Sequence, residues 1–251
     1  MTATVEQAAR WALLDSQVRH WNPVYRRLVP SAPAGQAAPG AAERALALRQ
    51  FTAPALLTLA VTHRGSTRRL RAALSPAVTG IEASTADGPS VWQMLPVSEV
   101  PARLEELLGE AGITADAPRL TVTGPATALR PDEAQLERVR AALERGISPE
   151  EAFADLTDPD PRLRDALTAA GPRVSLSLSL HDVDGAVAER PVLWSRLWVR
   201  GDAGWYRLDA DGTAVGAIHP VTPGDVLGTA VPVLEHGVRF AAACESAGSG
   251  R

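Results

Sequence analysis

Five histidines, His20, His63, His181, His219 and His236, and one cysteine, Cys244, are the side chains best suited to relay protons, hold metals or attack substrates. Imidazoles act together only when they converge, which on one helix means three- or four-residue spacing. None of the five lies within four residues of another or at ligand spacing from Cys244, so no metal centre is expected. Two acidic segments, Asp182-Val183-Asp184-Gly185 and Asp209-Ala210-Asp211-Gly212, begin like a calcium loop but lack the later Glu that completes the coordination. Asp-Gly is also a strong hairpin signal, and both read as turns. No glycine-rich phosphate loop, Walker sequence or nucleophile elbow occurs, so neither a cofactor nor a catalytic residue is expected. A triad can still be assembled in space from distant segments. That alternative predicts that two or more of His63, His181 and His219 share one pocket.

The chemistry the sequence does offer is that of a binding surface. Residues Pro191–Leu208 hold three of the six tryptophans. With Gly201-Asp202-Ala203-Gly204 as the turn of a hairpin, Trp198 falls opposite Arg207, Val199 opposite Tyr206 and Leu197 opposite Leu208. Leu193, Leu197, Val199, Tyr206 and Leu208 then form an ordinary core side. The other face carries Trp194, Arg196, Trp198, Arg200, Trp205 and Arg207. Trp and Arg are the residues most enriched at the energetic centres of protein interfaces. A helix of the same chain could equally cover that face, and a shift of one residue would exchange the two faces.

The elements that must hold this hairpin follow from the apolar period. Trp11, Leu14, Val18 and Trp21 recur at helical steps and predict one helix before Pro23. Pro30–Gly40 reads as a Pro/Ala/Gly linker, and a helix is expected from Ala41 to Phe51. The period then becomes two. Ala55–Thr62, Arg69–Leu74, Val78–Ser84 and Val91–Leu95 read as strands, with Asp87-Gly88-Pro89 as a connection. Ser98 reads as the N-cap of a helix lined by Val100, Leu104, Leu107 and Leu108. Leu136, Val139, Leu143 and Ile147 mark a middle helix, Ser148-Pro149-Glu150-Glu151 is a capping box, and Asp160-Pro161 starts a further helix. Val174, Leu176, Leu178 and Leu180 alternate with serines as a strand buried on one face. Val192–Val199, Trp205–Leu208 and Val215–Ile218 continue the sheet, Asp209–Gly212 is a turn, and Thr222-Pro223 opens a last helical region interrupted by Pro232.

The two strand-rich stretches share an order of elements. Leu95-Pro96-Val97-Ser98 matches His219-Pro220-Val221-Thr222 in register, 124 residues apart. The expected fold is therefore α+β and quasi-twofold. Residues 1–40 supply an N-terminal helix and linker, 41–130 the first half, 131–172 connecting helices, 173–243 the second half and 244–251 a disordered tail.

Composition narrows the classes further. With 251 residues, 45 % hydrophobic and 22 % charged, the chain is long and apolar enough to build a core. A net charge of −4 gives no electrostatic case for nucleic acid or an anionic membrane. Every basic side chain is arginine, which with the Ala, Gly and Pro load reads as the codon usage of a GC-rich genome. A single cysteine excludes an internal disulfide. Met1–Trp11 lacks the build of a secretory signal, and no apolar run spans a bilayer, so a cytoplasmic protein with no membrane insertion is expected. These features leave room for a homodimer.

Leu48–Leu59 (LRQFTAPALLTL), Val91–Leu108 (VWQMLPVSEVPARLEELL) and Leu197–Leu208 (LWVRGDAGWYRL) leading into Pro220–Leu234 resemble the EspG-type chaperones of type VII (ESX) secretion systems of actinobacteria. The resemblance covers about Ala41 to Phe240. It implies a cytosolic, non-enzymatic adaptor that binds the tip of a secreted helical-hairpin protein, shields its apolar patch and keeps it competent for export. Where family members tend to carry an Asp and a Gly-Arg pair, this chain has Arg200-Gly201-Asp202-Ala203-Gly204-Trp205. Mapped onto this sequence, the partner-binding residues implied are Trp194, Arg196, Trp198, Trp205, Tyr206 and Arg207 of the hairpin, with Val226 and Leu227 of the last helix. An immunity or regulatory protein that occludes a toxin or enzyme would use the same residues.

Overall fold

A computed structural model describes residues 2–13, 17–28, 40–85, 88–113, 116–121, 128–129, 132–148, 151–152, 160–211 and 214–249. In chain order the elements are β1 (Thr2–Ala3), α1 (Val5–Ala12), α2 (Pro23–Leu28), α3 (Ala41–Thr52), β2 (Ala55–His63), β3 (Ser66–Leu74), β4 (Val78–Thr85), β5 (Ser90–Pro96) and α4 (Val100–Glu110). There follow α5 (Glu133–Glu144), α6 (Pro161–Leu167), β6 (Arg173–Leu180), β7 (Val192–Arg200), β8 (Trp205–Asp211), β9 (Ala214–Val221) and α7 (Asp225–Ser249). The fold is α+β.

The strands form one antiparallel sheet in the order β1-β5-β4-β3-β2-β6-β7-β8-β9. About the central β2–β6 pair, where Leu59 lies opposite Leu176, the order reads the same outwards in both directions until β1. Each half consists of a helix, four strands and a helix. Pro96 and Pro220 both fall at the end of the fourth strand, just ahead of α4 and α7. The repeat thus has a structural counterpart.

Alternation along the strands divides the sheet into two faces. On the first, Leu57, Leu59, Leu70, Leu74, Leu176 and Leu178 meet α4 and α7 in the main core. Helix α7 lies so close that a Cβ at Gly237 would sit 2.5 Å from Leu74 Cδ1. A side chain there would require the buried Leu74 to move. The second face is covered at its two ends. Helices α1, α2 and α3 pack on Leu56, Ala73 and Trp92 through Trp21, Tyr25 and Phe51. At the other end α6 packs on Val199, Tyr206 and Ile218.

Several local expectations are corrected. Residues 11–21 do not form one helix. Helix α1 is closed by a Thr4/Gln7 capping box and ends at Ala12, and Gln17 is extended at φ −79°, ψ 145°. Trp21 leaves that pattern to pack edge-on against Phe51, 4.6 Å between ring centroids. Ser98 is not an N-cap, because Val97–Glu99 winds as a 3-10 turn and Glu99 precedes α4. Strand β8 runs on through Asp211, with a bulge between Asp209 and Ala210, where a turn was expected. Helix α7 continues through Pro232 and on to Ser249 instead of giving way to a disordered tail. Anchored on the sheet, it loses one hydrogen bond at Pro232, and the Ala241–Ala243 run propagates its end. The linker of residues 30–39 and the centres of the 86–87 and 149–150 connections lie outside the described residues. Ser148 does accept the Glu151 N–H at 3.3 Å, as a capping box requires.

Candidate functional site

The Pro191–Leu208 hairpin has the register expected of it: Trp198 pairs with Arg207, Val199 with Tyr206 and Leu197 with Leu208. Its Trp/Arg face is not a surface. Trp198 is 0 % exposed, Trp205 6 % and Arg207 7 %, and all three lie under the first turns of α7. Val226 and Leu227 are buried in the same core. Asp225, at the start of α7, organises the contact. Its carboxylate accepts Trp198 Nε1–H at 2.9 Å, Arg207 Nη1–H at 3.1 Å and the Thr121 N–H at 2.9 Å. The two tryptophans and Arg207 face the helix of their own chain, which corrects the assignment of Trp198, Trp205, Arg207, Val226 and Leu227 to a partner surface.

Tyr206 is buried on the opposite face beneath α6, where its hydroxyl donates to Asp165 Oδ2 at 2.8 Å. Asp165 also accepts the Asp202 N–H at 2.7 Å and the Ala203 N–H at 3.1 Å, so α6 clamps the hairpin turn. Burial works to raise the Asp165 carboxyl, but those three donors outweigh it and hold it below its ordinary range. Burial and the Asp165 carboxylate together push Tyr206 up to about 12. Of the expected site, only Trp194 and Arg196 stay partly open. The Arg196 guanidinium lies 5.6 Å from the Trp194 ring centroid and is ion-paired with Asp209.

The open surface lies on the face expected to be core. Leu193 is 55 % exposed and Leu197 36 %. Beside them on β6 and β2 are Ser175, Ser177, Ala60 and Thr62, with Ser195 between the two leucines. These residues form a strip at the middle of the sheet, bounded on one side by α3 and on the other by α6. From β3 to β7 the strip crosses three inter-strand spacings, about 14 Å. That width admits one α-helix, about 10–12 Å across with its side chains.

The three histidines that a triad would bring into one pocket lie apart among the described residues. His63 and His181 stand at opposite ends of the β2–β6 pair, and His219 lies three strands away, 3.3 Å from Asp209 Oδ2. Asp182 turns its carboxylate on its own loop, accepting the Asp184 N–H at 3.0 Å and the Val187 N–H at 2.6 Å. Among the described residues no group of three or more His, Cys, Asp or Glu could hold a metal ion.

A second buried polar cluster joins α2 and α3 to the sheet. Glu82 accepts Arg71 Nη1–H at 2.7 Å and Ser90 Oγ–H at 3.1 Å, together with a short bond from the Tyr25 hydroxyl. Gln50 donates to the Tyr25 oxygen at 3.1 Å. Burial, followed by the Glu82 charge, drives Tyr25 well above its ordinary value and keeps it a neutral donor. Such a network ties helices to strands rather than presenting a reactive group. Among the described residues no helix is long and apolar enough to cross a membrane. Compared with models of known families the chain matches none, and a search of curated proteins finds no relative.

Proposed function

We propose that the protein is a chaperone of the EspG type, which binds a secreted helical-hairpin protein of a type VII secretion system in the cytoplasm and keeps it soluble for export. The observation that carries this reading is the strip at the middle of the quasi-twofold sheet that no described helix covers. It is one helix wide, floored by small hydroxyl side chains, and it exposes Leu193 and Leu197. An exposed apolar pair set in a shaped, otherwise polar floor suits a partner's amphipathic helix, whose apolar side it would shield. Covering the exposed parts of the two leucines, 55 % of Leu193 and 36 % of Leu197, contributes about 0.5–1.5 kcal/mol apiece. The role assigned to the Trp/Arg face passes to this strip.

The test is a tagged pull-down from the native host, read by mass spectrometry, with the parent and the double variant Leu193→Ser/Leu197→Ser. The parent is expected to recover small helical-hairpin secretion substrates, and the double variant at least tenfold less of them. Recovery of a toxin or an unrelated enzyme instead would favour an immunity or regulatory protein. Equal recovery by the double variant would remove the strip as the docking floor.

A further inference from the structure

Arg69, on β3, is half-buried, and the acid whose charge favours it, Glu82, is already bound by Arg71. Burial first, and the neighbouring Arg71 guanidinium next, act against its charge. Arg71 is 4 % exposed, and although its Nη1 engages Glu82, its Nε is buried without a partner. Two guanidinium groups side by side in a partly dry setting, sharing the one buried carboxylate of Glu82, leave a place for a further counter-charge.

Both arginines line a cavity of about 360 Å³ between the start of α1 and the β4–β5 end of the sheet. Thr4 and Val5, at the N-terminus of α1, form its opposite wall, and Ser84 and Thr85 add hydroxyls. The Val5 and Glu6 N–H groups have no partner within the helix, as helix geometry dictates, and the helix dipole favours negative charge there. Of the acids on the cavity, Glu82 is already engaged by Arg71, Tyr25 and Ser90, and the Glu6 side chain is exposed at the rim.

We infer that this cavity binds a phosphate-type oxyanion, with Arg69 as its principal counter-ion and the first turn of α1 and Arg71 as supporting donors. Guanidinium groups match such oxygens in geometry as well as charge. The volume falls at the small end of the roughly 300–1,000 Å³ typical of ligand pockets, so it admits more than the bare ion. The site borders the strip, since Arg69 lies opposite Ala60 across the β2–β3 pair, but it does not depend on the chaperone reading.

The experiment is thermal unfolding of the full chain in inorganic phosphate against chloride at equal ionic strength, with phosphoserine as a second probe. At a hundredfold excess over Kd, phosphate is expected to raise Tm by about 5–10 °C in a saturable manner. Arg69→Gln is expected to abolish that shift while melting within about 2 °C of the parent in chloride, and Arg69→Lys to retain part of it. Saturation by phosphoserine at a tenfold lower concentration would identify a phosphomonoester as the ligand, and equal saturation would identify the free ion. No phosphate-specific shift in the parent, or an undiminished shift in Arg69→Gln, would overturn the assignment.

Discussion

Replacing Asp225 by alanine tests the burial of the Trp/Arg face directly. The carboxylate is fully buried and is shared by Trp198, Arg207 and Thr121. Removing one partner of a buried ion pair costs about 3–5 kcal/mol. The lower end applies here, because Arg207 Nε keeps Asp209 at 3.5 Å. The Trp198 Nε1–H, sealed beneath α7, adds the desolvation of an unpaired donor, about 1–2 kcal/mol. Thr121 is only partly buried and can turn to water, so it adds little. The groups form one network and their costs do not simply add, so the expected loss for Asp225→Ala is about 3–5 kcal/mol. That is a large fraction of the 5–15 kcal/mol typical of a whole domain. Asp225→Asn keeps an acceptor for Trp198 but sets an amide against Arg207, and about 2–3 kcal/mol is expected. The assay is urea unfolding at neutral pH followed by both far-ultraviolet circular dichroism and tryptophan fluorescence, since coincident transitions license a two-state treatment. Arg196→Ala is the control: its pair with Asp209 is partly solvent-exposed and contributes less than about 1 kcal/mol. A loss below about 1 kcal/mol for Asp225→Ala would mean that α7 does not seal the hairpin, and the Trp/Arg face would again be a candidate surface.

The α6 clamp predicts a pH dependence of known sign. The folded Asp165 carboxyl lies below its ordinary value, so its contribution is present above the unfolded value of about 4 and is lost as pH falls through the folded one. Asp165→Asn is expected to flatten the acid limb of the urea midpoint between about pH 5 and 2, and an unchanged limb would refute the clamp. Tyr206 is raised to about 12, so its contribution is present below about pH 10 and fades as pH rises towards 12; Tyr206→Phe should flatten that limb. Two helical glycines should respond with opposite sign. A Cβ at Gly228 would lie 2.5 Å from the Arg119 backbone, and Gly228→Ala is expected to lose about 1–3 kcal/mol despite alanine's better helix propensity. Gly109 meets nothing within 4 Å, and Gly109→Ala should gain up to about 1 kcal/mol in the same unfolding assay.

The parts of the fold legible in the sequence are those governed by neighbouring residues. The turn at Gly201–Gly204 sets the β7–β8 register, and a two-residue period with serines outward marks β6 with one face in the main core. Pro96 and Pro220 announce the second half because each ends a strand that a helix must follow. Where long-range packing competes, local pattern loses. Val18 and Trp21 sit at helical spacing from Trp11, yet Trp21 is taken by the aromatic cluster of Phe51, Tyr25 and Trp92 around the α3–sheet contact. Ser98 has an N-cap's chemistry, but the chain winds one tighter turn before α4 begins.

The exposed strip was illegible for a different reason. Strand β7 is apolar in both parities: Leu193, Leu197 and Val199 on one side, Val192, Trp194 and Trp198 on the other. Both sides are covered at its Trp198–Val199 end, by α7 and α6 respectively, so residue type alone cannot say which parity reaches solvent further back. That choice is made by the reach of the covers. Helix α6 has 7 residues and stops over Val199 and Tyr206, whereas α7 has 25 and continues over β6, β2 and β3 to Leu74. The long helix therefore closes the Trp/Arg side at Trp198 and leaves Val192, Trp194 and Arg196 partly open, and the short one leaves Leu193 and Leu197 exposed. Asymmetry between the covering helices, laid on a nearly symmetric sheet, opens the Leu193/Leu197 strip on the face that α6 covers. Lengthening the cover, and not changing the strand, is what would close it.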